Sequence, residues 1–262
     1  MKDRLCIVGL DEAAYQEIRA QVNMPVVAYE TIPPMIVHEG QLLVASRTRI
    51  GMLPVSKVVF HGIFEDDLNC ITALALWGGP CLPNAHGMMD CRLKFPCLVR
   101  ALQYTQFGDP LRGYVMAGVP FAAEGEHVAK WGNWHCGQNK ARFAGIWESG
   151  HDVTIEPFLH GQSVRVVLIG DQYWQIKLEG TDWLKSIHDV QAAFMPVDAE
   201  LLADTQRIGQ ALRLETIAND YIVTAHGSKH LLEVNHIPNV TRFPEIWHAY
   251  KEYVIQWVAG EC

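Results

Sequence analysis

Residues 220 to 235, Asp-Tyr-Ile-Val-Thr-Ala-His-Gly-Ser-Lys-His-Leu-Leu-Glu-Val-Asn, constrain the fold more than any other stretch of the chain. Two apolar, β-prone runs flank His226-Gly227, an X-Gly pair of the kind that closes a tight hairpin. A two-residue turn there sets Asp220 directly opposite Glu233. Asn235 then shares the face of Glu233, because residues two apart point the same way along a strand. Opposed carboxylates repel, and Ile222, Val223, Leu231 and Leu232 deny them the screening of water. Two arrangements answer the conflict. Either a hard cation sits among the oxygens, magnesium carrying phosphates being the usual candidate, or the register slips by one and the acids face opposite ways.

A chain of 262 residues can bury a sizeable core, as one large domain or two closely packed lobes. No apolar run approaches the ~20 residues needed to span a bilayer. The start, Met-Lys-Asp-Arg-Leu-Cys-Ile-Val-Gly-Leu, reads as a first strand rather than a secretory signal. Seven cysteines without a CxxC pair suit reduced thiols, so the expected location is cytoplasmic. A formal charge of −8 argues against a general nucleic-acid binder.

The first ~85 residues alternate short apolar strands with helical stretches, an α/β pattern. Leu5 to Gly9, Val26 to Tyr29 and Val58 to Phe60 read as strands; Glu12 to Val22 and Phe64 to Trp77 read as helices. Residues 79 to 84 form a further short strand between breakers, and Phe95 to Tyr104 is helical. Gly108, Pro110, Gly113 and Pro120 then mark loops. From about residue 126 the pattern turns antiparallel, with strands at 127 to 131 and 140 to 144, and a pair at 164 to 169 and 173 to 178 turning at Gly170-Asp171. Helices at Ala199 to Leu212 and Pro244 to Val258 bracket the acid hairpin. An α/β front and an α+β back are expected to share a ligand-binding cleft.

Between the strands at 127 and 140 lie Lys130, Gly132, Gly137 and Lys140. Glycines let backbone N–H groups approach a phosphate, and lysines supply point charges for its oxygens. A solvated β-hairpin remains the plainer reading of this stretch. Lys130 interrupts an apolar strand, where an ammonium needs an anion. Further on, a strand broken at Pro157 exposes backbone groups beside Phe158, enough to read an adenine edge. Arg165 also falls in an apolar strand and should meet an acid or a phosphate; Glu156 and Glu233 are the candidate protein partners. Neither GxxxxGK[ST] nor GxGxxG occurs. The twelve histidines show no HExxH spacing and read as ordinary polar residues.

These pieces come in a fixed order that resembles the ATP-grasp superfamily, in particular the synapsin C domain and the glutamate-adding and glutathione-synthetase-type ligases. Lys130-Trp-Gly, His135-Cys-Gly137 and Lys140 look like the synapsin pattern KxGxxHxGxxK. Glu156-Pro-Phe-Leu followed by Val164-Arg-Val resembles EPFI…DVRV, and Gly180-Thr-Asp182-Trp183 is similar to a GNW or GDW stretch. The likeness spans about residues 55 to 258. It implies an ATP-grasp fold of mixed α/β and α+β character, with an N-terminal α/β lobe (1–94) and an ATP-grasp domain (95–262) whose two antiparallel-sheet lobes clasp ATP. It also implies that Lys130 holds the α-phosphate, that Gly137 and its loop cover the β- and γ-phosphates, and that Lys140 assists. Glu156 and Phe158 would frame the adenine, Asp220, Glu233 and Asn235 would hold one or two magnesium ions, and Arg165 and Lys177 would face the transferred phosphoryl group. Ser163 stands where many relatives carry an acid for the ribose, and Leu184 and Ser186 where ligases show a basic residue and Asn.

Two functions follow from that likeness. One is an ATP- and magnesium-dependent carboxylate–amine (or thiol) ligase working through an acyl phosphate on a small acid or peptide; the other is a synapsin-like ATP-binding regulator without turnover. Asn235, which synapsins lack, favours the ligase. The resemblance also implies a homodimer.

Overall fold

The computed structural model describes residues 3–133, 139–180 and 182–261. The chain opens with β1 (Leu5–Val8), α1 (Glu12–Arg19) and β2 (Val26–Tyr29). A short antiparallel meander follows: β3 (Met35–His38), β4 (Gln41–Ala45) and β5 (Met52–Val55). Then come β6 (Lys57–Phe60), α2 (Asp67–Trp77), β7 (Cys81–Leu82), α3 (Ala85–Cys91) and α4 (Lys94–Ala101). The first sheet has the order β2-β1-β6-β7 and is parallel throughout. Of its two inner strands, β1 is buried along its whole length and β6 at all but its first residue, as parallel strands covered on both faces must be.

The central sheet is antiparallel in the order β10-β9-β11-β8, built from β8 (Gly113–Val115), β9 (Phe121–Lys130), β10 (Lys140–Trp147) and β11 (Val153–Pro157). The third contains β12 (Gln162–Ile169), β13 (Gln172–Lys177), β14 (Ala193–Met195), β15 (Thr216–Val223) and β16 (Lys229–Asn235), ordered β14-β13-β12-β15-β16. Helix α5 (Ala199–Leu212) precedes β15, and α6 (Pro244–Ala259) closes the chain.

The third sheet is covered on both faces. Val164, Val166, Leu168, Tyr221, Leu231 and Val234 pack with α5 and α4. On the opposite face Val167, Ile169 and Ala218 share a core with β1, α1 and α6. Along that second face, alternation brings Arg165 next after Val167 on β12 and Asp220 next after Ala218 on β15. One sheet face is therefore core at one end and charged at the other.

Some sequence expectations need correction. The meander over 35–55 was not anticipated; its strands are four or five residues long and partly exposed. Residues 85–91, unassigned from the sequence, form a helix, capped by Asn84 Oδ1, which accepts the N–H groups of His86 and Gly87 at 3.0 and 3.1 Å. The acid hairpin does not close in two residues. Thr224 N donates to Ser228 O at 2.9 Å and Gly227 takes φ +82°, giving a three-residue tip with a left-handed glycine. The strands then pair Val223 with Lys229 and Tyr221 with Leu231.

The next rung is Asp220 with Glu233, so Leu232 is left over as a β-bulge. The extra tip residue and the bulge cancel, and the expected opposition of Asp220 and Glu233 holds. The register slipped by one is thereby excluded. The bulge also re-phases β16: Leu231 packs in the core while Glu233, two residues on, lines a cavity.

Candidate active site

The cavity measures about 720 Å³ and lies between the central and third sheets, reaching the C-terminal ends of β1 and β6. From the central sheet it takes Val128, Lys130, Lys140, Glu156 and Phe158; from the third it takes Ser163, Arg165, Asp220, Glu233 and Asn235. Nine of the ten candidate residues lie among the described residues, and eight of the nine line this one space. Gly137 lies outside the described residues, as do His135 and Cys136 of the same loop. Lys177 is not part of the wall: it is half-exposed on β13 and pairs with Glu179 at 2.6 Å.

Lys130 and Lys140, ten residues apart in sequence, are directly opposed on β9 and β10. Each meets an anion. Lys130 Nζ pairs with Glu156 Oε1, and Lys140 Nζ lies 3.5 Å from Glu233 Oε2. Arg165 pairs with a third acid, Asp220. It is the neighbour of Asp220 across β12 and β15 and binds it with both prongs, Nε to Oδ1 at 2.6 Å and Nη2 to Oδ2 at 2.7 Å. Asn235 Nδ2 donates to Asp220 Oδ2 at 3.5 Å. The repulsion between opposed Asp220 and Glu233 is thus relieved by cations from the protein itself.

Two further basic residues were missed. Lys94, the first residue of α4, sets Nζ 3.0 Å from Glu233 Oε1. Arg112, in the loop before β8, donates from Nε to Glu156 Oε2 at 3.0 Å. Neither belongs to a recognisable motif, and their partners lie 139 and 44 residues further along the chain.

The electrostatics follow from this crowding. Burial alone would raise the Glu233 carboxyl, but Lys140, Lys94 and Lys130 outweigh it and hold the group well below the usual carboxylate range. Burial, opposed by Glu233 and aided by Lys140 and Lys130, lowers the Lys94 ammonium. Five bases, Lys94, Arg112, Lys130, Lys140 and Arg165, around three acids, Glu156, Asp220 and Glu233, leave the site prepared to receive further negative charge.

At the far side of the central sheet, Phe158 N donates to Glu126 O at 2.8 Å, just past the point where Pro157 ends β11. The Phe158 ring carries the Arg142 guanidinium 3.9 Å from its centroid and meets Trp183 edge-on at 6.1 Å. Leu232, turned inward by the bulge, adds apolar wall.

The opposite end is lined by Leu10, Asp11 and His61, and by Ser186, His188 and Asn239 from the loops. Gly9 takes φ +91°, and a Cβ there would lie 2.0 Å from His61 O. Only glycine lets β1 and β6 approach closely enough to present this floor. Burial lowers the His61 imidazole to about 4, so it is uncharged at neutral pH.

The donor set suits a hard cation that also binds phosphates: two carboxylates and one amide, all oxygen donors, on adjacent strands. Among the described residues, no group of three or more His, Cys, Asp or Glu is arranged to hold a metal by itself. No helix among them is long and apolar enough to cross a membrane.

No protein-family model and no curated relative matches the chain. Solved structures do. D-alanyl-alanine synthetase A from Vibrio cholerae aligns with a TM-score of 0.71 and 12% identity, over 99% of this chain and 98% of that one. The macrocyclase MdnC from Microcystis aeruginosa, bound with its precursor peptide MdnA, aligns at 0.65 and 15% over 97% and 99%. A RiPP-associated ATP-grasp ligase from Chryseobacterium gregarium, in complex with ADP and a leader and core peptide, aligns at 0.65 and 8% over 99% and 97%. None of the three is a synapsin. End-to-end agreement at this level, with a clasped cavity between two antiparallel sheets behind a parallel one, shows that this chain has the ATP-grasp fold.

Proposed function

We propose that the protein is an ATP- and magnesium-dependent ligase that joins a carboxylate to an amine through an acyl phosphate. One observation carries the reading: the oxygens of Asp220, Glu233 and Asn235 share a cavity with the cations of Lys130, Lys140 and Arg165, each acid already held by a base. Lys94 joins this set through Glu233. The solved relatives that bind ADP or a peptide support the choice of ligands.

The adenine would lie by Phe158 and Leu232, with the triphosphate running toward Lys130, Lys140 and Lys94. As phosphate oxygens arrive, the two lysines on Glu233 turn to them and leave its carboxylate free for a cation. Magnesium there would neutralise phosphate charge and steady the leaving diphosphate. Arg165 stands where it could stabilise the phosphoryl group in transit; Lys177, outside the wall, is a weaker choice for that role.

The acceptor end would hold the acid, a small molecule or a peptide terminus. A carboxylate oxygen of the acid attacks the γ-phosphorus and ADP leaves. The amine then attacks the acyl carbon and inorganic phosphate leaves. The amine's proton passes to the leaving phosphate; His61, whose imidazole burial holds at about 4, is too weak a base to keep it.

Titration calorimetry of ATP with and without magnesium, on wild type and Glu233→Ala, tests the nucleotide site. Binding that needs magnesium and is weakened in the variant is the expected result; absence of binding to the wild type overturns the reading. Release of ADP and phosphate dependent on both an acid and an amine then tests the chemistry. The resemblance also suggests a homodimer, which light scattering would show as twice the chain mass.

A further inference from the structure

Behind the lysines, one arginine touches both sheets that wall the cavity. The loop carrying Arg112 is fastened to the third-sheet side of the molecule. Thr105 Oγ1 and Gln106 N each donate to Asp204 at 2.7 Å. Leu231 N donates to Phe107 O at 2.8 Å, and His230 Nδ1 lies 2.7 Å from Asp109 O. From this base the Arg112 guanidinium, 5% exposed, donates through Nη1 to Gly108 O at 2.8 Å and through Nη2 to Leu231 O. Its Nε reaches across to Glu156 of the central sheet at 3.0 Å. The other Glu156 oxygen holds Lys130.

A continuous line of polar contacts, Leu231 to Arg112 to Glu156 to Lys130, therefore crosses from one sheet to the other. Leu231 immediately precedes the bulge that aims Glu233, and Lys130 sits at the opposite wall. A second crossing, Lys140 to Glu233 at 3.5 Å, lies inside the cavity, where an incoming phosphate would open it. Arg112 is not among the residues lining the cavity, and backbone carbonyls fix its plane. A planar fork can serve acceptors on two elements at set angles, which a lysine cannot. Its charge also matters. With Arg112 present, Glu156 divides between two cations; without it, Glu156 would hold Lys130 alone and keep it from phosphate.

Resting on the nucleotide reading above, we propose that Arg112 is a positioning residue that fixes the spacing of Lys130 and Glu233 while partners exchange in front of it. The test compares two ligands on wild type, Arg112→Lys and Arg112→Met. Magnesium-ATP spans Lys130 and Glu233; adenosine touches only the Phe158 end. Both variants should bind magnesium-ATP about tenfold more weakly or worse, the scale of a lost hydrogen bond to a charged group, and adenosine within about twofold of wild type. Unchanged magnesium-ATP affinity in both variants would overturn the proposal. So would a parallel loss for both ligands together with a lower Tm, which marks a general structural role. A wild type that binds neither ligand overturns the nucleotide reading and this inference with it, whereas the other two outcomes overturn this inference alone.

Discussion

Glu156 and Glu233 both line the cavity, each between two cations, but the partners differ in kind. Glu156 is held by Arg112, which backbone carbonyls immobilise, and by Lys130. Glu233 is held by Lys94 and Lys140, whose ammonium groups end flexible stems. An arginine fork gives a fixed geometry; a lysine is a point charge that can swing to a better anion. Under the function proposed above, the two walls would do different work: one sets a distance, and the other trades protein carboxylate for ligand phosphate.

The largest effect that could break this comparison is on turnover. Glu233→Ala should lower the ligase rate by about three orders of magnitude, the scale of several kcal/mol of lost charge stabilisation. Glu156→Ala should fall mainly on ATP affinity, so steady-state kcat and KM of the two variants would separate them. Equal losses of kcat would show that the walls do not differ as argued. Next is stability. Glu156→Gln strands a nearly buried guanidinium and should cost about 3 kcal/mol in denaturant unfolding, more than Glu233→Gln with its more accessible lysines. A larger loss in Glu233→Gln would reverse the assignment.

A pH series sharpens the same contrast. Because the Glu233 carboxyl titrates below its usual 4.5, its ionised form stabilises the fold above that pH, and the contribution is lost as the pH falls toward the folded value. Wild type should therefore lose stability below about 4.5 more steeply than Glu233→Gln; parallel curves would contradict the cluster. The smallest effect belongs to Lys177→Ala. Its half-exposed pair with Glu179 should be worth under about 1 kcal/mol, and ATP affinity should not move. A tenfold weaker affinity would return Lys177 to the site.

The acid pair, both loop lysines, Arg165 and the broken strand at Pro157 were legible because each is a charge or a breaker inside an apolar run, a conflict that needs a partner. Lys94 and Arg112 gave no such signal. One begins a helix and the other lies among Gly108, Pro110 and Gly113, where a basic residue looks solvated; their acids are brought to them only by tertiary packing. Arg165 shows the limit of the reading from the other side. The need for an acid was plain, yet its choice of Asp220 depends on which strand lies beside β12. The short meander over 35–55 escaped for a related reason, since β3 exposes every second residue and buries none fully.

The bulge at Leu232 has a consequence for what the hairpin tip can tolerate. Pairing on the tip side of the bulge and pairing on the Glu233 side follow separate registers, so the Asp220–Glu233 rung does not inherit its alignment from the turn. Residues 225 to 228 are exposed. A short peptide tag or a fluorescent reporter spliced into that tip should leave Asp220 and Glu233 face to face, which makes it the first place to graft a probe onto this protein.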